Sequence, residues 1–283
     1  MTSFNDKINQ QLSLLTKSQK VVAAYYLTNL NSVAFDNLDT TARKMNISTT
    51  TVLRFARSLG YKGFSDMQED IQKEILNKAS LPERLVSLQN HINTANHLLM
   101  DSVQNDIDNI TKTFSQIDPA ALNSAVSRIN DAQTVYILGL RSSFALAHYM
   151  TSRLAQIRPH VRLIEGSGML YLEDFGGVNK EDVVVAFLFP RYSKMSIDLL
   201  TWLKKKQIPV IIITSGNIEK IQDLGDLFIP CYVNSVSFKN SFAAPVALAN
   251  YIAAATAIIG HDRALETVKE TEDFLDSGYY LGR

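Results

Sequence analysis

The sequence predicts an α/β protein: a small all-α domain at the front, then a doubly wound parallel α/β sandwich. Three observations carry this. Up to about residue 79, apolar residues recur only at helical spacing, with no convincing strand. From residue 134 onward, short β-branched runs alternate with helical segments, and the runs are continuously apolar, as in strands buried on both faces of a parallel sheet. Charge also divides the chain. Its 283 residues carry 28 basic and 28 acidic side chains, yet residues 1–64 hold eight Lys/Arg against three Asp, a net of +5, which leaves the rest acidic. The expected division is residues 1–79 for the helical domain, 80–105 for a polar helical connector with Pro82 near its start, and 106–283 for the sandwich.

Composition excludes several classes. Hydrophobic residues make up 46% and charged residues 20%, enough apolar matter for a core and too much for a disordered chain. Cys231 is the single cysteine, so neither a disulfide framework nor a CxxC metal site is possible, and it reads as a small buried hydrophobe. The start, Met1 to Asp6, has no charged segment leading into an apolar run, so no signal peptide is expected. The apolar stretch 243–260 carries Asn250, Tyr251 and Thr256 and reads as a core helix rather than a membrane span. The expected compartment is the cytosol, with no membrane partner. No metal-ligand spacing, P-loop or nucleophile elbow is present, so neither a metal nor another cofactor is expected.

In chain order, Val21, Val22, Tyr25 and Tyr26 mark one helix, Leu38, Ala42 and Met45 a second, and Val52, Phe55, Ala56 and Leu59 a third. From residue 106 a helix leads to Pro119 and another follows. Strands are expected at 134–138, 161–164, 183–189, 210–214 and 227–233, with helices at 144–156, 193–206 and 218–224 between them. Two helices, about 241–259 and 262–275, close the pattern.

Residues 38–60 have the spacing of a helix-turn-helix. Asp39 is a candidate N-cap for a helix through Met45. Asn46 falls where the helix must end in a left-handed conformation, and Ser48 can cap a second helix that Gly60 terminates. Ala42 allows close approach of the two helices, and Ile47, Val52 and Phe55 fill the angle between them. On the second helix Thr50, Arg54 and Arg57 share the outer side, with Ser48, Thr49 and Thr51 at its N-terminal end, the end that meets base edges in a major groove. Hydroxyls and Arg suit both phosphate contact and base readout, and Lys44 and Lys62 flank the face as candidate phosphate contacts. The competing reading is an ordinary helical hairpin with a solvated basic face.

The stretch from Leu15 through Lys20, then Thr41-Ala42-Arg43, then Ser48 through Phe64 resembles the N-terminal domain of RpiR-type bacterial transcriptional regulators. Thr51-Val52-Leu53-Arg54-Phe55 running into Leu59-Gly60-Tyr61-Lys62-Gly63-Phe64 is its most specific part. The resemblance implies binding of double-stranded operator DNA by the helix that starts near Ser48.

Behind it, hydroxyls gather at strand ends, where α/β sheets bind ligands. Gly139-Leu140-Arg141-Ser142-Ser143 follows the first strand, Pro190-Arg191-Tyr192-Ser193-Lys194 the third, and Thr214-Ser215-Gly216-Asn217 the fourth. The first two open helices, whose N-termini favour anions. Each hydroxyl alone could be a simple helix cap; three such ends together suggest an anionic ligand. The layout resembles the sugar isomerase (SIS) domain that follows the helix-turn-helix in RpiR-type regulators, and this likeness covers about residues 1–275. It implies an effector site at Gly139, Arg141, Ser142, Ser143, Arg191, Tyr192, Ser193, Thr214 and Ser215. The usual first SIS loop is G-x-G-x-S, and here Arg141 stands at the second Gly. The usual second loop is S-x-S-G-x-T, and here Leu188, Pro190 and Arg191 replace the serines and the glycine, with Ser193 at the Thr place. Both loops exchange a Gly for Arg, so guanidinium groups could hold a phosphate or a carboxylate.

The resulting expectation is a transcriptional regulator, not an enzyme, that senses a small anionic metabolite such as a sugar phosphate or sugar acid and acts as a homodimer or homotetramer. One alternative is a sugar-phosphate isomerase, for which Glu165 and Glu173 are the candidate bases. Another is a regulatory protein that binds no DNA.

Overall fold

The computed structural model describes residues 4–34, 36–68, 70, 71, 82, 85, 95–164, 175–215 and 218–276. The chain divides into two compact units, residues 1–93 and 94–283, and each is described by itself.

The first unit is all helical: α1 (Phe4–Gln11), α2 (Lys17–Thr28), α3 (Leu30–Val33), α4 (Leu38–Lys44) and α5 (Thr49–Ser58), followed by helical residues 64–68. A capping box starts α2: the Thr16 hydroxyl accepts from the Gln19 N–H, and the Gln19 side chain accepts from the Thr16 N–H. Inward residues of each helix meet in one core. Phe4, Ile8, Val22, Tyr26, Val52 and Phe55 are all at most 1% exposed. The Tyr26 ring stands 5.6 Å from Phe55 and 5.9 Å from Phe4. At about 1.5–3 kcal/mol for each large apolar side chain buried, this core makes the short helices stable.

The cap of α4 differs from expectation. The helix begins at Leu38, so Asn37 caps it, its Oδ1 accepting from the Thr40 N–H at 2.8 Å. Asp39 lies inside the first turn, where its charge favours the helix N-terminus without capping it. At the other end Asn46 is left-handed, with φ 52°, and the Ile47 N–H reaches back to the Ala42 carbonyl at 3.1 Å. The same motif ends α5: Gly60 has φ 89°, and the Tyr61 N–H bonds the Ala56 carbonyl at 3.1 Å.

The second unit contains α6 (Ala95–Gln116), α7 (Pro119–Asp131), β1 (Val135–Leu138), α8 (Phe144–Ala155), β2 (Val161–Ile164), β3 (Val183–Phe187), α9 (Lys194–Lys205), β4 (Val210–Thr214), β5 (Leu227–Pro230), α10 (Ala243–Ile259) and α11 (His261–Asp276). Helix α6 runs unbroken across residue 105, where the sequence placed the end of the connector. All strand pairings are parallel, in the order β2-β1-β3-β4-β5. Alternate residues serve opposite faces. Ile137, Val185 and Ile211 pack with α7, α8 and α10, while Tyr136, Val184 and Ile212 pack with α9. Helices therefore cover both faces of the sheet.

The continuous apolar runs foretold strands buried on both faces, and β1, β3 and β4 are wholly buried. The edge strands β2 and β5 are not. Arg162 of β2 is exposed, because an edge strand has a neighbour on one side only. The expected helix at 218–224 is instead two short 3₁₀ turns, Ile218–Lys220 and Gln222–Leu224. Among the described residues no single helix is long and apolar enough to cross a membrane. The core helix α10 and α11 are bent by 105° at their junction.

Arg158 has no counterpart in the sequence reading. It is 2% exposed, and its guanidinium donates to the carbonyls of Ile129 and Ala132 where α7 ends. Burial, with help from Arg263, pushes its pKa down to about 10.

Candidate functional site

In the first unit the outer face of α5 is built by its inner one. Val52, Phe55 and Ala56 are fully buried, which turns Thr50, Arg54 and Arg57 out to solvent. The Ser48 hydroxyl caps the helix, accepting from the Thr51 N–H at 3.3 Å, and also lies 2.9 Å from the Thr51 hydroxyl. Ser48 and Thr51 are thus engaged with each other, Thr49 is half-buried, and Thr50 presents its hydroxyl outward. Lys62 is exposed beyond the helix end, and its backbone N–H is held by Asp66 at 2.9 Å. Lys44 pairs with Asp36 at 2.7 Å, and that hydrogen bond raises the lysine pKa. Its charge is therefore already matched within the fold, a pairing across eight residues that spacing alone does not reveal. Arg43, beside it, is exposed in the last turn of α4 and is a further candidate phosphate contact that the sequence reading does not include. The signal was there, in a basic residue on the outer side of the first helix of the motif.

In the second unit the strand order reverses between β1 and β3, so the connections leaving their carboxyl ends flank one crevice. Glycine is required at 139: a Cβ there would stand 2.3 Å from the Ser143 carbonyl oxygen. The two Arg that stand at Gly places keep glycine-like backbones. Arg141 has φ 58° and Arg191 has φ 65°. Both are exposed, and neither guanidinium makes a hydrogen bond or ion pair among the described residues.

The hydroxyls divide into two groups. Ser193 is committed to the fold: its Oγ accepts from the Ser196 N–H at 3.0 Å and lies 2.8 Å from the Ser196 Oγ. Ser143 precedes α8 without any side-chain cap bond and is 8% exposed, while Ser142 is exposed. Thr214, at the end of β4, is 1% exposed, and its Oγ1 makes no hydrogen bond of good geometry. The Tyr192 phenol interacts with it: burial raises the Tyr192 pKa and the Thr214 contact partly offsets this. Ser215 follows, half-buried. All nine expected effector residues therefore lie on the carboxyl edge of β1, β3 and β4. Chemically the edge offers two guanidiniums, hydroxyls and the N-terminus of α8, a set that suits an anion.

Glu165, Glu173, Gly216 and Asn217 lie outside the described residues. Among the described residues no group of His, Cys, Asp or Glu is arranged to hold a metal ion. A cavity of about 580 Å³ opens at the opposite, amino edge of the sheet. Two of the carboxylates that line it serve the fold. Asp182 accepts from the N–H groups of Thr134 and Asn179, and Asp226 accepts from the Val210 N–H and pairs with Lys204.

Comparison with known proteins bears on both units. Residues 2–78 match the helix-turn-helix domain of the rpiR family, and residues 128–256 match the SIS domain. The HTH-type transcriptional regulator HexR of Escherichia coli K12 is 26% identical over 213 residues, 75% of this chain and 72% of that protein. The fold resembles that of Vibrio vulnificus NanR complexed with ManNAc-6P, with a TM-score of 0.57, 20% identity, and 96% of this chain and 98% of the other covered. It also resembles the sugar isomerase domain of an RpiR transcription factor from Sphaerobacter thermophilus, with a TM-score of 0.59, 21% identity, and 62% and 98% covered.

Proposed function

This chain belongs to the rpiR family of helix-turn-helix transcriptional regulators that carry a SIS domain, and from that premise we propose that a small anionic metabolite, a sugar phosphate or sugar acid, binds the crevice and controls operator binding. The observation that carries the proposal is the placement of Arg141 and Arg191 in the connections that leave the adjacent strands β1 and β3, both left-handed and both with side chains unpaired among the described residues. Arg forks match phosphate and carboxylate oxygens in pairs. The ManNAc-6P complex of Vibrio vulnificus NanR supports a phosphorylated sugar as the class.

In this reading residues 1–79 contact DNA, 80–105 connect, and 106–283 sense. Thr50, Arg54 and Arg57 face the major groove, with Lys62 and Arg43 on phosphates. Ser48, Thr49 and Thr51 shape the helix N-terminus, and Lys44 reaches a phosphate only by leaving Asp36. Helix-turn-helix domains read paired half-sites, so the working form is a homodimer or homotetramer on a palindromic operator. In this reading the protein is a sensor rather than a catalyst, as its similarity to HTH-type transcriptional regulators supports.

A thermal-shift panel of sugar phosphates and sugar acids, ManNAc-6P included, tests the proposal, since a ligand of the native state raises stability by mass action. The expected hit stabilises the wild type and changes its affinity for DNA, and Arg191→Ala abolishes both effects while ligand-free DNA binding persists. If Arg191 instead holds the oligomer, the variant loses assembly in sedimentation and DNA binding with it. Turnover of an aldose phosphate to a ketose phosphate, lost in Glu165→Gln or Glu173→Gln, would overturn the sensor reading.

A further inference from the structure

The loop after β5, residues 231–242, touches the ends of β3 and β4 at the carboxyl edge and is bonded to α6. At its start the Cys231 N–H donates to the carbonyl of Thr214, a crevice residue, at 2.7 Å. At its end the Phe242 ring packs 6.1 Å from Phe189, two residues before Arg191. Between these points one face of α6 holds the loop. The Thr113 hydroxyl accepts from the Tyr232 N–H at 2.9 Å. The Asn234 carbonyl takes two donors, Asn109 Nδ2 at 2.7 Å and Asn105 Nδ2 at 2.8 Å, and the Ser241 hydroxyl donates to Asp106 at 2.5 Å.

Asn105, Asn109 and Thr113 recur at i, i+4 and i+8, so one face of the helix is involved. Asn109 is 1% exposed and Thr113 is fully buried. Apolar residues would pack a merely structural helix at lower cost, because buried polar groups must find partners. Here the partners lie on a loop 119 to 135 residues away. Two side-chain donors on one carbonyl also mean that the loss of either leaves the Asn234 carbonyl hydrogen-bonded.

We propose that this loop reports occupancy of the crevice to α6, through Asn105 and Asn109 on the Asn234 carbonyl and Asp106 on Ser241. Helix α6 opens the second unit, so the report enters the covalent path toward the DNA-binding residues. The proposal rests on the effector reading above and adds its route. A ligand that draws Arg191 or Thr214 inward shifts the two ends of the loop, and the loop shifts the helix. Such coupling needs an element with two arrangements whose balance both sites bias.

The test uses the full chain, a duplex enriched on it from a random DNA library, and the member of the sugar-phosphate panel with the largest thermal shift, starting with ManNAc-6P. The wild-type DNA affinity is expected to change by roughly 5- to 150-fold at saturating ligand. In Asn105→Ala and in Ser241→Ala that ratio falls toward one. Ligand binding by calorimetry and ligand-free DNA binding stay near wild type in both. Far-UV circular dichroism and melting confirm that each variant is folded, and Ser241→Ala, which leaves α6 itself unchanged, guards against loss of α6 packing. A wild-type ratio that persists in both variants overturns the route alone. Variants that lose ligand binding itself also overturn it, since the loop would then build the crevice rather than report on it. A wild type whose DNA affinity no panel member changes overturns the effector reading and the route together.

Discussion

Replacing Arg141 or Arg191 by glycine separates what these residues do for the fold from what they do for a ligand. Each sits in the left-handed region, with φ 58° and 65°. A residue bearing a Cβ costs about 1–2 kcal/mol there. Glycine removes that cost but gives back about 0.5–1 kcal/mol through the greater freedom of the unfolded chain. The net expectation is a gain of about 0.5–1 kcal/mol for each variant, since no partner among the described residues is lost. For a unit of this size, 1 kcal/mol corresponds to about 2–4 °C in midpoint, so the second unit should melt about 1–4 °C higher. Ligand affinity should move the opposite way. A hydrogen bond to a charged group contributes about 1.5–3 kcal/mol, so binding weakens about 10- to 150-fold. His160→Gly is the control: His160 is left-handed at φ 56° just before β2, at the amino edge of the sheet, its side chain is exposed, and the variant should stabilise without touching ligand affinity. Calorimetric melting and ligand titration on the same preparations give both numbers. A lowered midpoint would mean that the guanidinium is bonded into the fold, and unchanged ligand affinity would remove that Arg from the site.

Other outcomes follow from the same geometry. Arg54→Ala should weaken binding to the enriched duplex by about 1–3 kcal/mol without lowering the melting midpoint, and a fluorescence-anisotropy titration at two salt concentrations reads both affinity and salt slope. Gly139→Ala should destabilise the second unit by about 1–3 kcal/mol, because the new Cβ meets the Ser143 carbonyl at 2.3 Å and backbone must move; a normal melt would disprove that close approach. Burial pushes the Cys231 thiol up to about 12, against an ordinary value of 9.0. The native thiol should therefore resist alkylation at pH 8 and react only when denatured. The unfolded thiol loses its proton above pH 9 while the folded one keeps it to about 12, so this group lowers stability as pH rises across that window. A Cys231→Ala chain should show a shallower decline there in chemical denaturation.

Local signals made most of the elements readable. Ser48, Asn46 and Gly60 mark helix ends because caps and left-handed turns depend on a few adjacent residues, and the β-branched runs mark β1, β3 and β4 because burial on both faces leaves no place for polar side chains. The sequence reading caps this helix with Asp39, whereas Asn37 caps it in the structure, since a shift of two residues in the helix start decides between them. The same runs overstated the burial of β2 and β5, because composition does not say which strand lies at an edge. Other features needed the folded chain. The pairing of β1 with β3 puts the connections that carry Arg141 and Arg191 side by side at the carboxyl edge, although 50 residues separate the two in the sequence. Helix capping takes up the Ser193 hydroxyl, and Asp36 takes up the Lys44 charge. Asn105 falls at the end of the expected polar connector and Asn109 in the helix expected after it, and spacing gives neither a partner until β5 and its loop return to them. Propensity and capping act over a few residues and are written in the sequence; a hydrogen bond between residues 105 and 234 exists only once tertiary packing has closed the chain between them.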